Sequence, residues 1–212
     1  IKDFDKLKGS KLVYGSQGKT SLDAVPILAF DMLDMDVNVV YGMKGRKAGR
    51  AAILRGETTI DYQTTASYLK HVKPLVEKGE MVPLMTWGSV INGQIKRDPN
   101  FPNLPSFSEV YDKVIKNKNK EAFDAWQVLF NAGFATQKFI VLPKSASDNV
   151  VTAWIKASGQ IVNDLDTMKI INKKLGKYDQ IIGENLIFAL RKASTLDEPA
   201  YIYLSSWMDT KQ

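Results

Sequence analysis

The feature that most constrains this chain is an alternation of two hydrophobic periods along its first 86 residues. Short apolar runs of strand length at residues 11–14, 37–41, 58–62 and 81–86 are separated by segments at 21–34, 48–55 and 68–78 whose apolar residues recur at helical spacing. In the segment 21–34 these are Val25, Leu28, Ala29 and Met32, one face of a helix. Strand and helix patterns in alternation predict an α/β fold, a mixed or parallel sheet flanked by helices. A short opening helix is expected over residues 1–8.

Between 87 and 106 the alternation breaks. Asn92, Gly93, Asp98, Pro99, Asn100, Pro102, Asn103 and Pro105 predict a long surface loop. Helices are expected at 108–116 and 121–132, the second stopped by Gly133. A strand at 137–142 should end at Pro143, with further helices at 146–157, 164–175 and 183–191 and an irregular tail from Ser194.

Composition narrows the function classes. No apolar window approaches the roughly 18–20 residues of a membrane span, and residues 1–8 lack the pattern of a secretory signal. The absence of cysteine removes disulfides, thiol catalysis and cysteine-ligated metals. The net charge of +6 invites a nucleic-acid reading. Lys116, Lys118 and Lys120, the densest basic run, are not interleaved with aromatic residues as a stacking platform requires, so no nucleic-acid partner is expected.

Three constellations sit just past predicted strand ends, where open α/β sheets place their ligands. The first is Ser16, Gln17, Gly18, Lys19, Thr20 and Ser21, between a strand and a helix start. Unpaired amides at a helix N-terminus, with a glycine allowing close approach, make an anion pocket. The second is Lys44 with Gly45, and the third is Tyr62, Gln63, Thr64 and Thr65. Gly18, Lys19 and Thr20 also suggest the alternative reading, a nucleotide-dependent phosphotransferase or other α/β enzyme using this loop. The phosphate-loop motif, however, needs a glycine where this chain has Val13.

Catalytic signatures are thin. His71 is the single histidine and reads as a solvated helix residue, and Asp31, Asp34 and Asp36 cluster around a helix end. We therefore expect no catalytic residues, no metal site and no cofactor.

The order of these elements is similar to that of a known family. The run 11–21 resembles the strand and serine/glycine loop that opens the second lobe of extracytoplasmic solute-binding proteins of tripartite tricarboxylate transporters. Lys44 and Gly45, then ten residues, then Gly56 and Glu57 keep that family's spacing. Gly79 to Leu84, the proline-rich stretch from Asp98 to Glu109, and Phe139 to Ala146 are similar to further family segments. The resemblance implies a type II periplasmic-binding fold, with residues 1–136 as the second lobe and 137–212 as a crossover strand and helices returning to an incomplete first lobe.

It further implies a periplasmic receptor, monomeric when complete, that binds a small organic carboxylate and passes it to the transporter's membrane subunits. The three strand-end constellations would be the second lobe's share of the site. The resemblance implies that the family's N-terminal segment, which carries the opposite wall, is missing from this chain. Met43 stands where the family often has tyrosine, Lys19 adds charge to the anion loop, and the 117–134 region reads as an insertion.

Overall fold

The structure, a computed structural model, describes residues 4, 7, 9–91, 94–136 and 138–210. It is a helix-rich α/β protein, about 52% helical, with two small sheets. In chain order the elements are β1 (Leu12–Ser16), α1 (Ala24–Met32), β2 (Val37–Tyr41), α2 (Arg46–Leu54), α3 (Thr65–Ser67) and α4 (Lys73–Glu77). There follow β3 (Ser89–Ile91), β4 (Gln94–Lys96), α5 (Phe107–Val114), α6 (Lys120–Phe130), α7 (Asp148–Asn163), α8 (Leu165–Leu175), α9 (Glu184–Ala193) and α10 (Glu198–Thr210). A wide helical turn over Tyr68–Val72 joins α3 to α4.

β1 and β2 pair in parallel, Leu12 opposite Val37 through Ser16 opposite Tyr41, as their two apolar runs and the intervening helix predict. The third expected strand shrinks to a single parallel bridge between Tyr14 and Ile60. The reason is local: the Val13 amide donates to the Thr59 hydroxyl at 2.8 Å, so a side chain takes the place of a ladder carbonyl. The fourth expected strand, 81–86, pairs only at Thr86, which bridges Ser106. Pro83 lies inside that run and has no N–H to give a ladder.

The predicted loop at 87–106 contains an antiparallel hairpin, β3 with β4, Ser89 opposite Lys96. The Asn92 and Gly93 dipeptide that signals a turn lies outside the described residues, as does most of the expected opening helix. Residues 139–142 form no strand, and Phe139, Ile140 and Val141 are exposed. Gly133 does not end its helix, which runs on as a wide turn over Asn131–Ala135. The tail expected to be irregular is α10, a helix of 13 residues.

The core is built around α1 and α6. α1 is apolar nearly all round its circumference and is buried to match, with Val25, Ile27, Leu28 and Phe30 among the covered residues. It therefore hides more than the single face read from its spacing. The 117–134 region, read as an insertion, supplies the centre of the core. Trp126 is fully buried, its ring stacks on Phe130 at 5.2 Å and lies 4.2 Å from Phe107, and its Nε1 donates to the Val25 carbonyl at 3.2 Å. α10 packs back on α6, and Trp207 Nε1 donates to Asp31 Oδ2 at 2.6 Å.

α5 starts with a capping box. The Ser106 hydroxyl accepts from the Glu109 amide, and the Glu109 carboxylate accepts from the Ser106 amide at 2.8 Å. Partial burial opposes ionisation of Glu109. The Ser106 amide and the Arg97 guanidinium outweigh it and hold the carboxyl below its ordinary value of 4.5. A depressed folded pKa means stability that is present above pH 4.5 and lost as pH falls through the folded value. Glu109→Gln should therefore flatten the loss of stability below pH 4.5, read from urea midpoints across an acid pH series.

Candidate functional site

The first predicted site, the loop from Ser16 to Ser21, does form a tight strand-to-helix turn, but an anion from the protein already fills it. Asp23, fully buried at the N-cap of α1, accepts through Oδ2 from the Gln17 amide at 2.6 Å and the Ser16 hydroxyl at 2.9 Å. The Gly18 amide donates to Ser16 Oγ at 3.0 Å and the Ser21 amide to the Gly18 carbonyl at 3.1 Å. Lys19 Nζ donates to the Met208 carbonyl of α10 at 2.9 Å, so its charge helps seat that helix. Thr20 is exposed. Within this loop the Asp23 carboxylate takes the Gln17 amide and the Ser16 hydroxyl, and it makes no cap bond to the first-turn amides of α1.

Asp23 has a partner that sequence reasoning missed. Arg46, at the start of α2 beside Gly45, places Nη2 at 2.8 Å from Asp23 Oδ2 and Nη1 at 3.3 Å from Asp61 Oδ1. It also donates to the Tyr14 hydroxyl at 2.9 Å and the Gly15 carbonyl at 3.2 Å, and its guanidinium lies 4.8 Å from the centre of the Tyr62 ring. The available signal was an arginine in the first turn of a helix that follows a strand-end glycine. Nothing along the chain marks Asp23 and Asp61 as its partners.

Gly45, at φ +85°, is the N-cap of α2 and turns the chain so that Arg46 points inward. The first two constellations do lie side by side: the Met43 amide donates to the Ser16 carbonyl at 2.9 Å. Lys44 itself is exposed.

The third constellation lies elsewhere, on the wall of a cavity of about 1270 Å³. Tyr62, Gln63, Thr64 and Thr65 all line it, while no residue of the Gly18 loop or the Lys44 turn does. Trp87 and Phe134 form an aromatic wall around Tyr62, with ring centres at 6.3 and 5.6 Å from it. Gln63 is committed inside the protein. Its Nε2 donates to Asp61 Oδ2 at 2.5 Å, and its Oε1 accepts from Arg50 at 2.7 Å and from Ser67 at 2.7 Å.

Thr64 and Thr65 open a helical run whose first turn faces the cavity. Thr64 is extended, at φ −66° and ψ 153°, and no side chain caps the helix it begins. Two lysines, Lys138 and Lys177, line the same cavity together with the acidic residues Asp61, Glu80, Asp98 and Asp179. Of these acids, Asp61 is tied to Arg46 and Asp98 to Tyr178 and Asn100.

Burial dominates the titration of the network. It pushes Asp61 up, with the Gln63 amide and Arg46 pulling the other way, and it pushes the Tyr14 and Tyr62 hydroxyls well above the ordinary phenol value. Asp23 Oδ1, Arg46 Nε and the Tyr62 hydroxyl are buried without a hydrogen-bond partner among the described residues. His71 is exposed, and slight desolvation with nearby Arg50, Lys70 and Lys47 lowers its pKa. Among the described residues no group of three or more histidines and acids is placed to hold a metal, and no helix is long and apolar enough to cross a membrane.

Comparison of the chain with protein-family models, with curated proteins and with solved structures returned no match.

Asp23→Ala leaves Arg46 paired with Asp61 but takes the acceptor from the Gln17 amide and the Ser16 hydroxyl. A buried donor left unsatisfied costs about 1–3 kcal/mol, so the change should destabilise the protein by roughly 3 kcal/mol in urea unfolding. Adding Arg46→Met to it should cost less than the sum of the two single changes, since both act on one network. An additive double variant would show that the pair is not coupled.

Proposed function

We propose that the protein is a solute-binding receptor for a small organic carboxylate, serving the membrane subunits of a tripartite secondary transporter in the periplasm. The observation that carries this reading is the uncapped helix start at Thr65 opening on a cavity of about 1270 Å³. First-turn amides with no side-chain cap hold partial positive charge and suit a carboxylate. The aromatic wall of Tyr62, Trp87 and Phe134 suits the apolar body of the acid, and Lys138 and Lys177 supply cations on the same walls. Such mixed lining, mostly apolar with a few convergent polar groups, is the common chemistry of small-molecule sites.

The reading extends to the fold. A type II periplasmic-binding arrangement would take residues 1–136 as one lobe and bring 137–212 back toward the other. α7, α8 and α9 leave Trp154, Leu165 and Phe188 exposed, side chains of the kind a neighbouring lobe covers.

A thermal-shift screen of succinate, citrate, benzoate and single amino acids tests the function. A ligand at about 100 times its Kd stabilises by ~2.7 kcal/mol, a rise in Tm of roughly 5 °C or more for a chain of this size. At least one carboxylate should give that rise. Thr65→Pro should weaken it about tenfold in affinity, because it deletes a first-turn amide at a position where Thr64 is already extended and proline is tolerated. A rise with ATP and magnesium and none with any acid would contradict the reading and favour a nucleotide role for the Gly18 loop.

A further inference from the structure

The wall facing Thr65 comes from a segment that no strand-end pattern marks, the turn between α8 and α9. Gly176 ends α8 at φ +104°, and a Cβ there would lie 2.7 Å from the Tyr178 ring, 3.0 Å from Thr65 and 3.2 Å from Asn100. Only glycine lets the chain pass so close to both partners. From there the next residues are bonded to the body of the protein. The Lys177 amide donates to Asn100 Oδ1 at 2.7 Å, and the Tyr178 hydroxyl donates to Asp98 Oδ2 at 2.6 Å.

Since the Tyr178 proton is given to Asp98, the Thr65 hydroxyl is left to donate to the Tyr178 oxygen, at 2.5 Å. Asp98 is itself buried and held by the Asn100 amide and side chain, each at 2.8 Å. Burial first, and the bond to Asp98 second, push the Tyr178 phenol up, so the proton that makes the clasp stays in place at neutral pH. Three segments distant in sequence thus meet at one phenol: the helix start at Thr65, the proline-rich loop at Asp98 and the turn at 176–180. Thr65, Asp98, Lys177 and Tyr178 all line the cavity.

We propose that residues 176–180 form the second wall of the solute site, with Tyr178 as the clasp that fixes it against Thr65 and Asp98 and Lys177 as the cation it presents to the solute carboxylate. This rests on the receptor reading above and names the residues that complete its site. Lys177 is suited to the role because no carboxylate among the described residues pairs with its ammonium, whereas Arg46 and Arg50 are committed to internal partners. Asp179 and Glu80 line the same cavity. They set a charge balance that favours an acid with one or two carboxylates over one with three. Because the clasp ties this wall to the helix start, breaking it should loosen the wall and speed solute exchange.

Two arms test this on the full chain. In the first, hydrogen exchange followed by mass spectrometry without ligand should show Tyr178→Phe and Thr65→Val each speeding exchange across 176–181 by at least about tenfold, while α1 and α6 keep wild-type protection. Unchanged exchange at 176–181 in both variants would overturn the clasp. In the second, intrinsic tryptophan fluorescence, to which Trp87 on the cavity wall contributes, is followed in stopped-flow mixing with succinate and with benzoate. Tyr178→Phe should raise both association and dissociation rates several-fold with little change in Kd. Lys177→Gln should weaken Kd at least about fivefold, and Lys177→Arg should restore it.

A Lys177→Gln protein that binds as tightly as wild type would remove Lys177 from the site. If neither acid binds the wild-type protein, the receptor reading falls together with the role of Lys177, and the exchange arm still decides the clasp by itself.

Discussion

The buried guanidinium of Arg46 organises the part of the molecule that resembles a ligand site. It is held between Asp23 and Asp61, carboxylates from two different strand-to-helix connections, and lies against the rings of Tyr14 and Tyr62. Each contact fixes something else. Asp23 closes the loop around Gly18, the Gly15 carbonyl ties β1 to α2, and Asp61 orients Gln63. Taking such charges out of water costs several kcal/mol per ion, and the network repays it only while its hydrogen bonds are kept. Asp61 shows the tension, since burial raises its pKa even with an arginine beside it.

The helix starts nearby differ in what they face. α1, α2 and the helix at Thr65 each follow a strand-end loop and none has a side-chain cap, but of the three only the start at Thr65 lies on the cavity wall. The protein's own carboxylate thus shuts the loop that looks most like an anion pocket and leaves the plainer one open. The two walls of the cavity come from chain segments more than a hundred residues apart, joined at the Thr65 and Tyr178 hydroxyls.

The sequence made the strand and helix alternation legible because burial on one face leaves a periodic trace. β1, α1, β2 and α2 lie close to where their periods put them. What stayed hidden depends on partners. Whether residues 58–62 and 81–86 join a ladder is decided by the Thr59 side chain and by Pro83, and period alone carries neither fact. The hairpin at Ser89 was obscured by the prolines that follow it. α10 reads as irregular because its apolar residues, Tyr201 to Leu204 among them, run consecutively and do not recur at helical spacing, and its anchoring, through Trp207 to Asp31 and through Met208 to Lys19, is tertiary. Tyr62 to Thr65, which line the cavity, are marked by their place after a predicted strand end. Arg46, Asp23 and Tyr178 are not, because their roles exist only once distant segments meet.

The central claim is that a carboxylate is held by the amides at the start of the helix beginning at Thr65, and not by the Gly18 loop. Amide chemical-shift mapping by NMR during titration with succinate or benzoate tests it most directly. The account predicts saturable shifts at Thr65, Ala66 and Ser67, with Gln17 and Gly18 unmoved. Saturable shifts centred on Gly18, Lys19 and Thr20, or none anywhere on the cavity wall, would contradict it.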